Sequence, residues 1–129
     1  MIAAFEGAMA FQKGLGAVHA LSHPMGALPG LTLHHGTLNA LLMPAVLRFN
    51  RPAIGAKWVK LAALLGGPPD TVIASLVSRL GLPPGLDALG LTPEVLDHVA
   101  AEAPGDHCHG TNPRIASVGD YRALLEEAR

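Results

Sequence analysis

Four of the seven histidines, His19, His23, His34 and His35, fall within seventeen consecutive residues. Imidazole is the commonest side-chain metal ligand at neutral pH and the usual proton carrier there. His19 and His23 are four apart, so on a helix their rings leave the same face about one turn from each other. His35 follows a loop containing Pro29 and Gly30 and stands directly before Gly36. A helical pair and a loop histidine can converge on one ion, and neutral imidazole donors admit zinc, iron, nickel or copper. An H-x-x-x-H pair alone is often only a surface or hydrogen-bonded pair. The third histidine and the apolar surroundings favour a site.

The elements that must position these rings read as helices. Valine and isoleucine recur at helical spacing, and no segment alternates with the period of a half-buried strand. Residues 2–22 read as helical, with a weak point at Gly14-Leu15-Gly16 where two glycines lower the propensity. A second helix, 37–50, carries Leu38, Leu41, Leu42, Ala45, Val46 and Phe49 on one face and Met43 and Leu47 on the other. It is apolar nearly all round, as a central buried helix is. Residues 53–65 place Trp58, Leu61, Ala62 and Leu65 on one face, and 69–80 repeat the pattern with Val72, Ile73, Leu76, Val77 and Leu80. Pro83-Pro84 breaks the chain. Thr92-Pro93-Glu94 reads as a helix start, and Ser117 to Asp120 reads as a capping box opening a terminal helix. Residues 101–116, around Gly105-Asp106-His107-Cys108-His109-Gly110, form the main polar loop. The expected fold is an all-α, irregular bundle of about six helices.

At 129 residues and 13.3 kDa the expectation is a single helical domain, 1–129. Half of the residues are apolar, 15% are charged and the mean hydropathy is +0.35. A chain this oily is expected to bury a face against a partner domain or a second copy, so a homo-oligomer is expected. A net charge of −1 with scattered Arg48, Arg51, Lys57 and Lys60 gives no reason to expect nucleic acid. The single cysteine, Cys108, excludes an intrachain disulfide framework and fits a reducing compartment. The first residues lack a basic region ahead of an apolar stretch, so no secretory signal is expected. The apolar run 38–47 is too short for the roughly 20 residues of a membrane span. A cytoplasmic chain without membrane attachment is expected.

The histidine segment closely resembles the iron-dependent (group III) alcohol dehydrogenases. Gly14-Leu15-Gly16, His19-Ala20, His23, Gly26, His35-Gly36, Asn39-Ala40, Leu41-Leu42 and Pro44 follow that family's pattern. Asp106, Cys108 and Thr111-Asn112-Pro113-Arg114 match it again near its C-terminus. The resemblance runs over nearly the whole chain and implies the helical C-terminal part of the dehydroquinate synthase-like, iron alcohol dehydrogenase fold. It implies that His19 and His35 are metal ligands, for Fe2+ or Zn2+, and that His23 lies near the nicotinamide as cofactor contact and proton relay. The implied reaction is NAD(P)-linked interconversion of an alcohol and an aldehyde or ketone, with the ion as Lewis acid.

There are departures. The segment between His23 and His35 is about two residues longer than the pattern, and His34 doubles the histidine before Gly36. His34 competes for the ligand role, although Gly36 favours His35. The family's other two ligands, an aspartate and a histidine spaced D-x-x-x-H, do not occur in the eighteen residues before His19. Nor does a G-x-G-x-x-G nucleotide loop. Asp106, His107 and His109 remain as further donors, but the resemblance puts them in a C-terminal loop. Gly110 to Arg114 reads as a structural turn that anchors the loop. The isolated chain is therefore expected to be inactive, with NAD(P) bound only together with a missing nucleotide-binding half. The alternative is a non-catalytic helical remnant that oligomerises or binds a partner, with at most weak metal binding.

Overall fold

A computed structural model describes residues 2–129. The chain runs α1 (Ile2–Phe11), α2 (Ala17–Gly26), α3 (His35–Ile54), α4 (Ala56–Leu65), α5 (Pro69–Arg79), α6 (Pro93–Glu102) and α7 (Val118–Glu127), with short 3-10 turns at Leu86–Leu89, Ala103–Gly105 and His109–Thr111. No strand occurs among the described residues. The fold is all-α, as the periodicity indicates.

The first expected helix is two, and the break falls at the two glycines. Gly14 has φ +89°, and a Cβ there would lie 2.6 Å from the Thr111 side chain. A Cβ on Gly16 would lie 2.7 Å from Asn112 Oδ1. The missing side chains let the Thr111-Asn112 loop seat against the start of α2. There Asn112 Oδ1 accepts the Ala17 N–H at 3.0 Å. It thereby satisfies one of the donors that a helix start leaves open, which Gly16 has no side chain to do. Asn112 also exchanges hydrogen bonds with Asn50 of α3, at 2.8 and 3.0 Å, and donates to the Arg114 carbonyl at 2.6 Å. One buried asparagine thus ties α2, α3 and the polar loop together. The expectation of an anchoring turn here agrees with these contacts.

Helix α3 is longer than its apolar run suggests. It starts at His35, with His34 as the N-cap whose Nδ1 accepts the Thr37 N–H at 3.3 Å. It continues through Pro44 and Pro52 to Ile54, where Gly55 at φ +44° turns the chain. It packs on α2, α4, α5 and α7. The core gathers Leu21 and Met25 from α2, Leu38 and Leu42 from α3, Leu96 and Val99 from α6, and Tyr121 and Leu125 from α7, all fully buried. At α7 the capping box forms, with Asp120 N–H donating to Ser117 Oγ at 3.1 Å and Ser117 N–H to Asp120 Oδ2 at 2.9 Å. Thr92 sits at the N-cap of α6 but its side chain does not cap; Pro93 fixes the first turn instead.

The apolar faces expected on α4 and α5 are only partly covered. Trp58 is buried, whereas Leu61 is 37% exposed, Leu65 42%, Leu76 43% and Leu80 65%. Residues 56–79 are long and apolar enough by composition to cross a bilayer. Gly66 at φ +74° nevertheless splits them into helices of ten and eleven residues, each too short to span.

Candidate metal centre

Helix α2 delivers His19 and His23, and the first turn of α3 delivers His35. The three rings meet: His19 lies 5.6 Å from His23 and 5.2 Å from His35 between centroids, and His23 stacks on His35 at 5.7 Å. All three predicted site residues therefore share one place. His34 does not join them, because its ring is turned back to cap α3.

Asn39, one helical turn after His35, sits between the two implied ligands. Its Nδ2 donates to His35 Nε2 at 3.0 Å and to His19 Nε2 at 3.3 Å. Both Nε2 atoms thus face the Asn39 amide, which holds the two rings toward each other. Asn39 Oδ1 is buried without a partner, which is costly for a polar atom. Burial, then the neighbouring His35 and His23 rings, lowers the His19 pKa against an opposing pull from Asp106. That favours the neutral, ligating form. Two neutral imidazole nitrogens held toward each other suit a divalent ion of the iron and zinc series. They fit as half of a four-ligand set.

His23 is held differently. Its Nδ1 is 2.9 Å from Asp106 Oδ2, with the ring one-third exposed and the carboxylate mostly covered. Burial would raise the Asp106 pKa, but the hydrogen bonds from the Cys108 N–H and from His23 outweigh it and hold the carboxyl below its ordinary range. An ionised Asp106 accepts from Nδ1–H and leaves His23 Nε2 free to exchange a proton. His109 turns away from this cluster: its Nδ1 meets the buried Tyr121 hydroxyl at 2.9 Å. Burial, with the nearby Asp106 and Cys108, pushes that phenol up to about 12.

Two residues of this arrangement escaped assignment from the sequence. Asn39 stands four after His35, on the same helical face, and that spacing could have found it. Asp106 is 83 residues from His23, and only its place before Cys108 in the matching C-terminal motif marks it.

The whole chain, residues 1–129, matches the model of the Fe-containing alcohol dehydrogenase family, C-terminal. It is 51% identical to the 4-hydroxybutyrate dehydrogenase of Cupriavidus necator over 139 residues, covering 99% of this chain and 36% of that one. It is 32% identical to the lactaldehyde reductase of Escherichia coli (strain K12), covering 89% and 33%. Among solved structures, a 1,3-propanediol oxidoreductase superposes with a TM-score of 0.83 at 29% identity, covering 89% of this chain and 33% of that one. The maleylacetate reductase of Rhizobium sp. strain MTP-10005 gives 0.71 at 34% identity, covering 87% and 31%. The chain spans about a third of the length of these relatives.

Proposed function

The chain belongs to the Fe-containing alcohol dehydrogenase family, and on that premise we propose that it is the metal-binding part of an NAD(P)-linked dehydrogenase interconverting an alcohol and a carbonyl compound. The observation that carries the proposal is the convergence of His19, His23 and His35, with His23 oriented by Asp106. His19 and His35 would hold Fe2+ or Zn2+ through Nε2. When bound, the ion supplies Lewis acidity toward the substrate oxygen. The Asn39 amide, which donates to both Nε2 atoms, would give up those hydrogen bonds as the ion enters. His23 takes the alcohol proton at Nε2 and passes it to water, while Asp106 fixes its tautomer through Nδ1 and stabilises the charged ring. The remaining two ligands and the nucleotide site belong to the rest of the polypeptide or to a partner half. The chain therefore contributes one wall of the active cleft and has no dehydrogenase activity alone.

The similarity to a 4-hydroxybutyrate dehydrogenase makes a short ω-hydroxy acid the first substrate to assay. In the full-length protein loaded with Fe2+, 4-hydroxybutyrate is expected to reduce NAD or NADP. His23→Ala is expected to keep the metal and lower kcat by about 10²–10⁴-fold. Loss of the iron assigned to His19 and His35 from that variant would make His23 a ligand of that ion. Failure of the loaded wild-type protein to oxidise 4-hydroxybutyrate or any simple primary or secondary alcohol would remove the dehydrogenase reading.

A further inference from the structure

Beside His23, the polar loop brings up three more donors. Asp106, His107 and Cys108 lie with His23 so that one ligand atom from each falls within 4.8 Å of all the others. His107 stacks on His23 at 5.5 Å between ring centroids. Its Nε2 is 3.4 Å from Cys108 Sγ. These groups come from α2 and from a loop more than eighty residues later, so local sequence does not force them together.

Each residue also has a plain structural use. Cys108 fills the core, Asp106 Oδ1 accepts the Cys108 N–H at 2.7 Å, and the His107 side chain is 80% exposed. Packing does not account for the set. An exposed histidine has no structural need to lie against a buried thiol, and a buried thiol has none to lie beside a carboxylate that pushes its pKa up, after burial, to about 11. A cavity of about 150 Å³ lined by Phe11, Gly14, Leu15, His107, Cys108 and Thr111 opens beside the sulfur.

We propose that His23, Asp106, His107 and Cys108 form a second divalent-cation site, of the zinc type, distinct from the His19 and His35 pair. Two imidazoles, one carboxylate and one thiolate are a four-coordinate zinc donor set, with bond lengths of about 2.0–2.3 Å. Tetrahedral geometry then requires donor separations of roughly 3.3–3.6 Å. The exposed His107 ring can rotate inward to close the present spread. The bond that forms is sulfur to metal and the bond that breaks is sulfur to hydrogen, the proton passing to solvent as the ion enters. Sulfur separates this site from the histidine pair, since a soft donor selects zinc over harder ions. The site stands on this loop's geometry and shares His23 and Asp106 with the dehydrogenase reading, so an ion bound there engages the two groups that otherwise form the proton relay.

The test is titration of the full-length protein with Co2+, watching for thiolate-to-cobalt charge transfer in the near ultraviolet, followed by competition with Zn2+. The band is expected to saturate, to be bleached by Zn2+, and to persist in His19→Ala and His35→Ala. His107→Ala, at an exposed position that the core does not need, is expected to weaken Co2+ binding by at least about tenfold. Cys108→Ser is expected to abolish the band with the helical circular dichroism unchanged. Absence of the band in the wild type, or its survival at full affinity in His107→Ala, would overturn the proposal. Its disappearance in His19→Ala or His35→Ala would show one merged site and overturn it equally. None of these readouts depends on turnover, so loss of the dehydrogenase reading leaves the result interpretable.

Discussion

Asn112 accepts the Ala17 N–H and the Asn50 amide on a single oxygen, inside the protein. Asn112→Ala would strand both donors without water, at about 1–3 kcal/mol for each buried group left unsatisfied. A loss of about 2–4 kcal/mol in urea unfolding is expected, and a change below about 0.5 kcal/mol would contradict the anchoring role. The spacing His19-x-x-x-His23 was readable because a helix turns four residues into neighbours. His35 was readable from its apolar context and the family motif. Asn39 gave no signal of its own type, since a lone asparagine on a helix is ordinary. The partnership of His23 with Asp106 is a tertiary contact, and no local spacing encodes it.

At the scale of elements, the capping box of α7 makes a pH prediction. Ser117, through its side chain and its N–H, lowers the Asp120 pKa below its ordinary value, with a further contribution from Arg114. A carboxyl depressed in the folded state adds stability above its unfolded pKa of about 3.9 and loses it as pH falls through the lower folded value. Asp120→Asn is therefore expected to destabilise the wild type at pH 7 and to converge with it in acid. Parallel Tm curves across pH 2–7 (roughly the range that spans an aspartate titration) would contradict this. The glycine break before α2 and this box were legible because both are local rules. The C-terminal extent of α3 was not: the expected helix 37–50 already runs through Pro44, but Pro52 reads as a stop, since a proline inside a helix costs about 3 kcal/mol or more. Here burial of Leu38, Leu41, Leu42, Ala45 and Val46 offsets that penalty, and Pro44 and Pro52 remain helical. The lesson is general: tertiary burial overrides a local stop signal when the helix is central.

The whole molecule is oilier outside than a finished surface should be. Ile2, Phe5 and Phe11 on α1, and Val59 and Leu64 on α4, are each more than half exposed. The chain spans about a third of the length of its relatives. Expressed by itself, the segment 1–129 is expected to self-associate, seen as a sedimentation coefficient that rises with concentration. A concentration-independent 13.3 kDa species would contradict that. The excess apolar content was evident from composition, but which helices expose it was not. Periodicity shows that a face is apolar without showing whether anything covers it. The proposed chemistry requires His19 and His35 to hold the ion, and iron stoichiometry tests this most directly. The full-length protein would be loaded anaerobically with Fe2+, desalted and assayed for iron per polypeptide, alongside His19→Ala, His35→Ala and His107→Ala. Iron is expected to be retained by the wild type and His107→Ala and lost from His19→Ala and His35→Ala. Undiminished iron in either of the last two would contradict that requirement.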